Sequence, residues 1–468
     1  MKKILLAVAA LVVATGATAQ DEAAIAWKKV YPKIEKSIKA PKFKNRDYDI
    51  RNFGAVPDDP NTLNHDAINK AIVECSANGG GRVVVPVGTW HTGGIVLKSG
   101  VNLCVEEGAT LLFNPDRKYY PVVLTRWEGV DCYNNQPLIY AYGEENVGIT
   151  GKGTIDGGAT KENWWAMCGS PRYGYQEGMV SQRTGRPKLL KWNEEQVPVE
   201  QRVMTLEDGM RSQLINIYKC KNVLIEDVTL LRSPFWVIHP LLSENITVRG
   251  VHIQNDGRNG DGCDPESCKN VLIEDCYFDT GDDCIAIKSG RNGDARRWNV
   301  PSENIIVRNC KMKNGHGGVV VGSEIGGGYR NLFVEDCEMD SPLLDRVIRI
   351  KTNTCRGGVI ENIYVRNVEV GQCKEAVLKI NLVYEPRENC DRSFPPLVRN
   401  VYLDNVTCQK SKYGVMITAL DQGTNVYNVK VSDSEFSGVT STDPVNYISG
   451  KTDNIVFDNL TINGKKVE

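Results

Sequence analysis

The stretch Asn259-Gly-Asp261-Gly-Cys-Asp264, followed shortly by Thr280-Gly-Asp282-Asp283-Cys284, gathers carboxylates with glycines between them. Clustered carboxylates suit a site that protonates one atom while it activates water at another. Glycines beside them let the backbone turn so that the acids project from one surface. Farther along stand His316, in Asn314-Gly-His316-Gly-Gly318, and two cations in Arg346-Val-Ile-Arg349-Ile-Lys351. Arg349 and Lys351 are two apart, so on a strand they point to the same side. Each group alone has a plainer explanation. The aspartates read as a turn or a calcium loop, the histidine as a loop residue, the cations as a solvated strand face. Their placement on consecutive sequence repeats argues for joint chemistry.

Those repeats run from Glu145 onward. Asn222-Val-Leu-Ile-Glu-Asp-Val-Thr-Leu230 recurs as Asn270-Val-Leu-Ile-Glu-Asp-Cys-Tyr-Phe278 and Asn331-Leu-Phe-Val-Glu-Asp-Cys-Glu-Met339. Related units start at Asn245, Asn304, Asn362 and Asn400, with weaker copies at Asn428 and Asn454. The spacing, roughly 23 to 38 residues, is that of a solenoid. The units are short and β-branched with no 3.6-residue period, which excludes a helical solenoid. A coil of parallel strands satisfies them, each strand pairing with its equivalent one turn away at about 4.8 Å. The Asn that opens each unit belongs at a corner, where stacked side chains can hydrogen-bond along the ladder. The expected fold is all-β: a single-domain right-handed parallel β-helix over residues 46–468. An amphipathic helix from Asn64 to Ser76, capped by Asn64, would close its N-terminal end. Two segments break the period: Leu112–Pro137, and Gly157–Arg211 with Trp164, Trp165, Tyr173, Tyr175 and Trp192. Such long aromatic insertions are expected to be functional loops.

The charge balance, 56 Lys+Arg against 58 Asp+Glu, gives no basic excess to suggest a nucleic-acid partner. Lys2 and Lys3, the apolar run Ile4–Val13 and Ala17-Thr-Ala19 read as a signal peptide over residues 1–19, so the protein is expected to be exported, periplasmic or extracellular. A Lys-rich arm, residues 20–45, follows, and no other stretch is apolar enough to span a membrane. Fifteen cysteines is an odd number, and Cys276, Cys310 and Cys337 recur at one position of the repeat. Buried free thiols are therefore expected to outnumber disulfides. With no CxxC and matching His pair, neither metal nor cofactor is expected.

The motifs Asn259-Gly260-Asp261, Gly281-Asp282-Asp283, Gly315-His316-Gly317 and Arg349-Ile350-Lys351 stand in an order and spacing that resemble glycoside hydrolase family 28, the polygalacturonases. Phe53-Gly-Ala55, Gly79-Gly-Gly81 and Ser233-Pro-Phe-Trp236 extend the resemblance over nearly the whole chain. Gly260 departs from the family's usual Thr, and Ser212 from a frequent Pro. The resemblance implies a pectin-lyase-like β-helix that hydrolyses α-1,4-galacturonosyl linkages of pectin with inversion and no covalent intermediate. Asp282 would be the general acid, with His316 tuning it. Asp261 and Asp283 would hold and deprotonate the attacking water. Arg349 and Lys351 would bind a substrate carboxylate, with Asn259 and Tyr384 also at the substrate. Asp282 and Asp283 can act together only if Gly281 bends the chain. Acids two coils or a diagonal apart would give about the 6.5–9.5 Å of an inverting enzyme.

The Gly157–Arg211 insertion is long enough to wall off one end of the groove, and Lys288–Arg297 resembles exo-acting bacterial members. Cleavage from a chain end is therefore expected over endo-polygalacturonase or rhamnogalacturonan hydrolase activity. Two readings from other classes remain open at this level. A pectate lyase would need calcium and an Arg base, and a carbohydrate-binding β-helix would need no catalytic acid.

Overall fold

The computed structural model describes residues 19–467. All but the last residue of the expected signal peptide therefore lies outside it. From Asp47 onward the chain coils into stacked parallel strands, in register by whole repeats. Val223 pairs with Ile246, Ile246 with Val271, Val271 with Ile305 and Ile305 with Leu332. These side chains are buried along the axis of the coil. Two antiparallel hairpins depart from the pattern. Val122–Trp127 with Val130–Asn135 forms the first insertion, and Thr452–Ile462 with Lys465–Val467 closes the C-terminal end.

The corner asparagines behave as the repeat predicts. Asn222, Asn270, Asn304, Asn331, Asn362 and Asn400 all have φ between 57° and 64°, a left-handed conformation that Asn tolerates better than most residues. Their amides climb the coil: Asn331 donates to Asn304 at 2.9 Å, Asn362 to Asn331 at 3.2 Å and Asn400 to Asn362 at 2.9 Å. Cys276, Cys310 and Cys337 are buried free thiols. One disulfide, Cys355–Cys390, joins two cysteines outside the repeated position.

A helix, His65–Ala77, covers the N-terminal end and buries Ile68, Ala71, Ile72 and Cys75. Asn64 stands at its N-cap, but its side chain does not bond to the first turn. It accepts from the Val56 amide at 2.7 Å and donates to the Val56 and His91 carbonyls instead. The expected cap is thus a brace between the helix and the first coil. The arm is ordered. Helical from Ala19 to Ser37, it lays Ala26, Tyr31 and Ile34 on Ile306, Phe333 and Tyr364 of the outer sheet face. No described helix is long and apolar enough to cross a membrane.

The Gly157–Arg211 insertion contains a 13-residue helix, Gln182–Glu194, that its sequence hides. Gly185 and Pro187 lie inside it and both lower intrinsic helix propensity. Burial of Leu189 and Asn193 compensates. A short helix, Asn292–Trp298, packs beside it.

Candidate active site

One sheet positions the acids. Ile238, Cys263, Ile285, Val319 and Ile348 stack in register on five successive coils. Counting back two residues along each coil sets Asp261 beside Asp283, and counting back three sets Asp282 beside His316. Asp282 and Asp283 fall in a bend between strands Tyr277–Thr280 and Ile285–Ile287. The strand rule that would send neighbours to opposite faces does not apply there. Gly281 permits the bend: a Cβ there would come 2.5 Å from the Gly257 carbonyl oxygen. A Cβ at Gly260 would also meet that oxygen at 2.5 Å, so this loop has no room for the side chain that the resemblance led one to expect.

Asp261, Asp282 and Asp283 each bring a carboxylate oxygen to within 4.8 Å of the other two. That is closer than the 6.5–9.5 Å separation expected from the sequence. Asp261 sits on one coil and Asp282 and Asp283 together on the next, about one strand spacing away, and not two coils away.

Their environments differ. Asp282 accepts a hydrogen bond at 2.9 Å from Nδ1 of His316 and one from the Asp283 amide. Burial pushes Asp282 up, but the bond to His316 and that ring's charge outweigh it and hold the carboxyl below the usual range. Reciprocally, the bond to Asp282 raises half-exposed His316 to about 9. Asp261 is raised well above the carboxylate range, by burial first and then by the like charges of Asp264 and Asp282. In the free protein the proton therefore favours His316 and Asp261, and Asp282 is the ionised member of its pair. This reverses the protonation expected for Asp282 as a resting acid. The reason is the His316 contact, whose strength the sequence does not disclose.

The two cations also engage the protein itself. Lys351 is ion-paired with Asp283 at 2.7 Å, and Arg349 reaches the other oxygen of Asp283 at 3.5 Å. Both are nearly buried and lie over the Tyr384 ring at 5.4 and 5.6 Å. They share a face as predicted, but that face clamps a carboxylate of the protein, because Asp283 projects into it from two coils below. Asn259, with φ of 54°, is held by the buried Arg211 guanidinium at 2.7 Å. Asn259, Lys351 and Tyr384 line the cavity above the acids.

Lys288 and Glu324 also belong to the site; the sequence set the cations of Lys288–Arg297 near the Asp282 coil without giving Lys288 a role, and it did not single out Glu324. The buried Lys288 ammonium lies 3.8 Å from Asp261, 3.3 Å from Asp264 and 3.4 Å from Glu324, and 4.4 Å from the centre of the Trp236 ring. Asp264, fully buried, backs Asp261 through this lysine. The available signal was positional: Lys288 lies on the coil of Asp282, one strand beyond it. The cavity itself measures about 780 Å³. Its floor is Asp261, Asp282, His316 and Lys288, and the insertion supplies a wall through Ser170, Tyr173, Gln182 and Arg186. The opposite wall, Tyr384 and Glu385, is braced by buried arginines. Arg291 and Arg356 each bond to both Glu385 and Glu388 at 2.7 to 3.0 Å, and the Cys355–Cys390 disulfide anchors the same loop.

The family model for glycosyl hydrolases family 28 matches residues 191–456. The chain belongs to this family. Among solved structures, a hyperthermoactive exopolygalacturonase from Thermotoga maritima superimposes with a TM-score of 0.89 at 39% identity, covering 94% of this chain and 97% of that one. The exo-poly-alpha-D-galacturonosidase of Dickeya chrysanthemi is 29% identical over 88% of this chain and 71% of its own length. A probable polygalacturonase of Vitis vinifera is 32% identical over 69% of this chain, which spans 60% of that relative's length. The family-28 chain is a glycosidase on a parallel β-helix, and its four motifs are the ones that converge on the cavity floor.

Proposed function

We propose that this glycosidase removes galacturonosyl units from the end of homogalacturonan or its oligosaccharides, by direct displacement with inversion. The observation that carries the reading is a walled cavity with Asp261 and Asp282 at its floor and Asp283 buried behind them, a carboxylate oxygen of each within 4.8 Å of the others. Its volume suits a discrete chain end better than a polymer running through. Exo-acting names attach to the similar proteins of T. maritima and D. chrysanthemi.

In the reaction, water attacks the anomeric carbon and loses a proton to Asp261, whose raised proton affinity makes it the stronger base once ionised. Asp283, held by Lys351, keeps the water in place. The glycosidic C–O bond breaks as Asp282 gives its proton to the leaving oxygen. That proton comes from the Asp282–His316 pair. Substrate expels water from the cavity, and a desolvated pair favours the neutral form, with the proton on Asp282, over the separated charges.

Digestion of tri- and tetragalacturonate, followed by NMR and chromatography, tests the reading. The expected result is release of end units, with the inverted anomer first and a saturated product, in the presence of chelator. Asp282→Asn is expected to lower turnover by about 10²- to 10⁴-fold while trigalacturonate still binds. A sharp fall in polygalacturonate viscosity before reducing sugar appears would indicate endo cleavage, and an unsaturated product a lyase. The sequence over residues 1–19 supports export of the enzyme, which fractionation of the producing cells tests.

A further inference from the structure

Six Lys and Arg side chains line the cavity, and they fall into two groups. Three are matched by carboxylates of the protein: Arg186 by Glu128 at 2.7 Å, Lys288 by Asp264 and Glu324, and Lys351 by Asp283. The other three, Arg172, Arg183 and Arg258, have no ion-pair partner among the described residues, and all are exposed at the cavity wall. Arg172 lies over the Tyr173 ring at 5.6 Å and Arg183 over Tyr175 at 4.5 Å. The loop is shaped around Arg183, since a Cβ on Gly169 would come 2.7 Å from its stem. The Arg258 backbone is fixed by Arg211, which donates to its carbonyl at 2.7 Å. The three arginines line the same cavity as Asp261 and Asp282.

We propose that Arg172, Arg183 and Arg258 form a carboxylate subsite separate from the Arg349–Lys351 face, and that it holds the uronate of the terminal sugar. The proposal rests on the exo-acting reading above and deepens it. Guanidinium groups stacked on aromatic rings with free donors match a carboxylate by paired hydrogen bonds. A methyl ester at that sugar removes the charge they recognise. The subsite therefore selects chain ends whose last sugar carries a free acid.

The test compares binding of trigalacturonate and its methyl ester by calorimetry, in an Asp282→Asn background that prevents turnover. Arg183→Gln is expected to weaken trigalacturonate binding about tenfold, and Arg172→Gln/Arg183→Gln about a hundredfold. Methyl-ester binding should change little, and Arg183→Lys should restore part of the loss. In the otherwise unaltered enzyme the same changes should raise KM far more than they lower kcat. An unchanged Kd in the double variant overturns the subsite. So does equal affinity of the parent for acid and ester, or binding that does not weaken with salt, results that require no arginine variant to fold. Binding without hydrolysis by the parent would defeat the proposed reaction and leave the subsite standing. Hydrolysis with unaltered binding in the variants would defeat the subsite alone.

Discussion

Asp282 and His316 share one proton across 2.9 Å, and this ties activity to pH. In the proposed reaction the pair must carry its proton to serve the leaving group, and His316 releases it as pH rises through about 9. The alkaline limb of kcat/KM is therefore expected near that pH. His316→Gln removes the partner that holds the proton, so the limb should move to lower pH and turnover should fall by roughly 10²-fold. A pH profile of both proteins on trigalacturonate checks this. An unmoved alkaline limb would assign it to another group. The acidic limb belongs to Asp261, which must be ionised to accept a proton from water. Burial and its acidic neighbours raise it, so that limb should lie above the ordinary carboxylate range. At this scale the motifs named residues that the fold brings together at the cavity. They did not reveal which carboxylate holds a proton, because that depends on the exposure and contacts of each group.

The insertion helix Gln182–Glu194 and the loop from Tyr384 to Cys390 decide what the acids can reach. Each is fixed by charge. Arg186 bonds to Glu128 on the hairpin turn, and Arg291 and Arg356 hold Glu385 and Glu388 on the facing loop. Replacing residues 169–196 by a short Gly-Ser loop should open the cavity into a groove. The expected outcome is a shift from end-unit release toward internal cleavage, read as viscosity loss per reducing end. An unchanged product pattern would place the exo barrier elsewhere. The aromatic content of the insertion marked it as functional. Its helix was not legible, because Gly185 and Pro187 mask a segment that tertiary burial stabilises.

Over the whole molecule, stability is distributed coil by coil, as expected when each repeat contacts only its neighbours. The N-terminal helices cross several coils at once. They cover Leu272, Ile306, Phe333, Tyr364 and Tyr402, and Tyr31 bonds to Arg308 at 2.9 Å and also to Glu335. Deleting residues 19–38 should expose this row, lower the melting temperature by about 5 °C or more and promote aggregation. None of those residues lines the cavity, so kcat/KM of the folded fraction should persist. Calorimetry and activity measured on one preparation separate the two effects. A truncated protein that melts like the parent would show the arm to be passive.

The sequence by itself determined the coil. Each repeat places an Asn where the backbone turns left-handed and apolar side chains where the axis is dry, and both are local requirements repeated in register. It also determined which coils carry Asp261, Asp282, Asp283, His316, Arg349 and Lys351, because distance along a solenoid is counted in repeats. Only the tertiary structure decided that Arg349 and Lys351 clamp Asp283, that Lys288 stands behind Asp261, and that Arg172, Arg183 and Arg258 have no ion-pair partner among the described residues. Those pairings join residues on different coils at distances of 2.7 to 3.8 Å, which no spacing in the sequence specifies. At that range, charge and burial decide which partner each group finds.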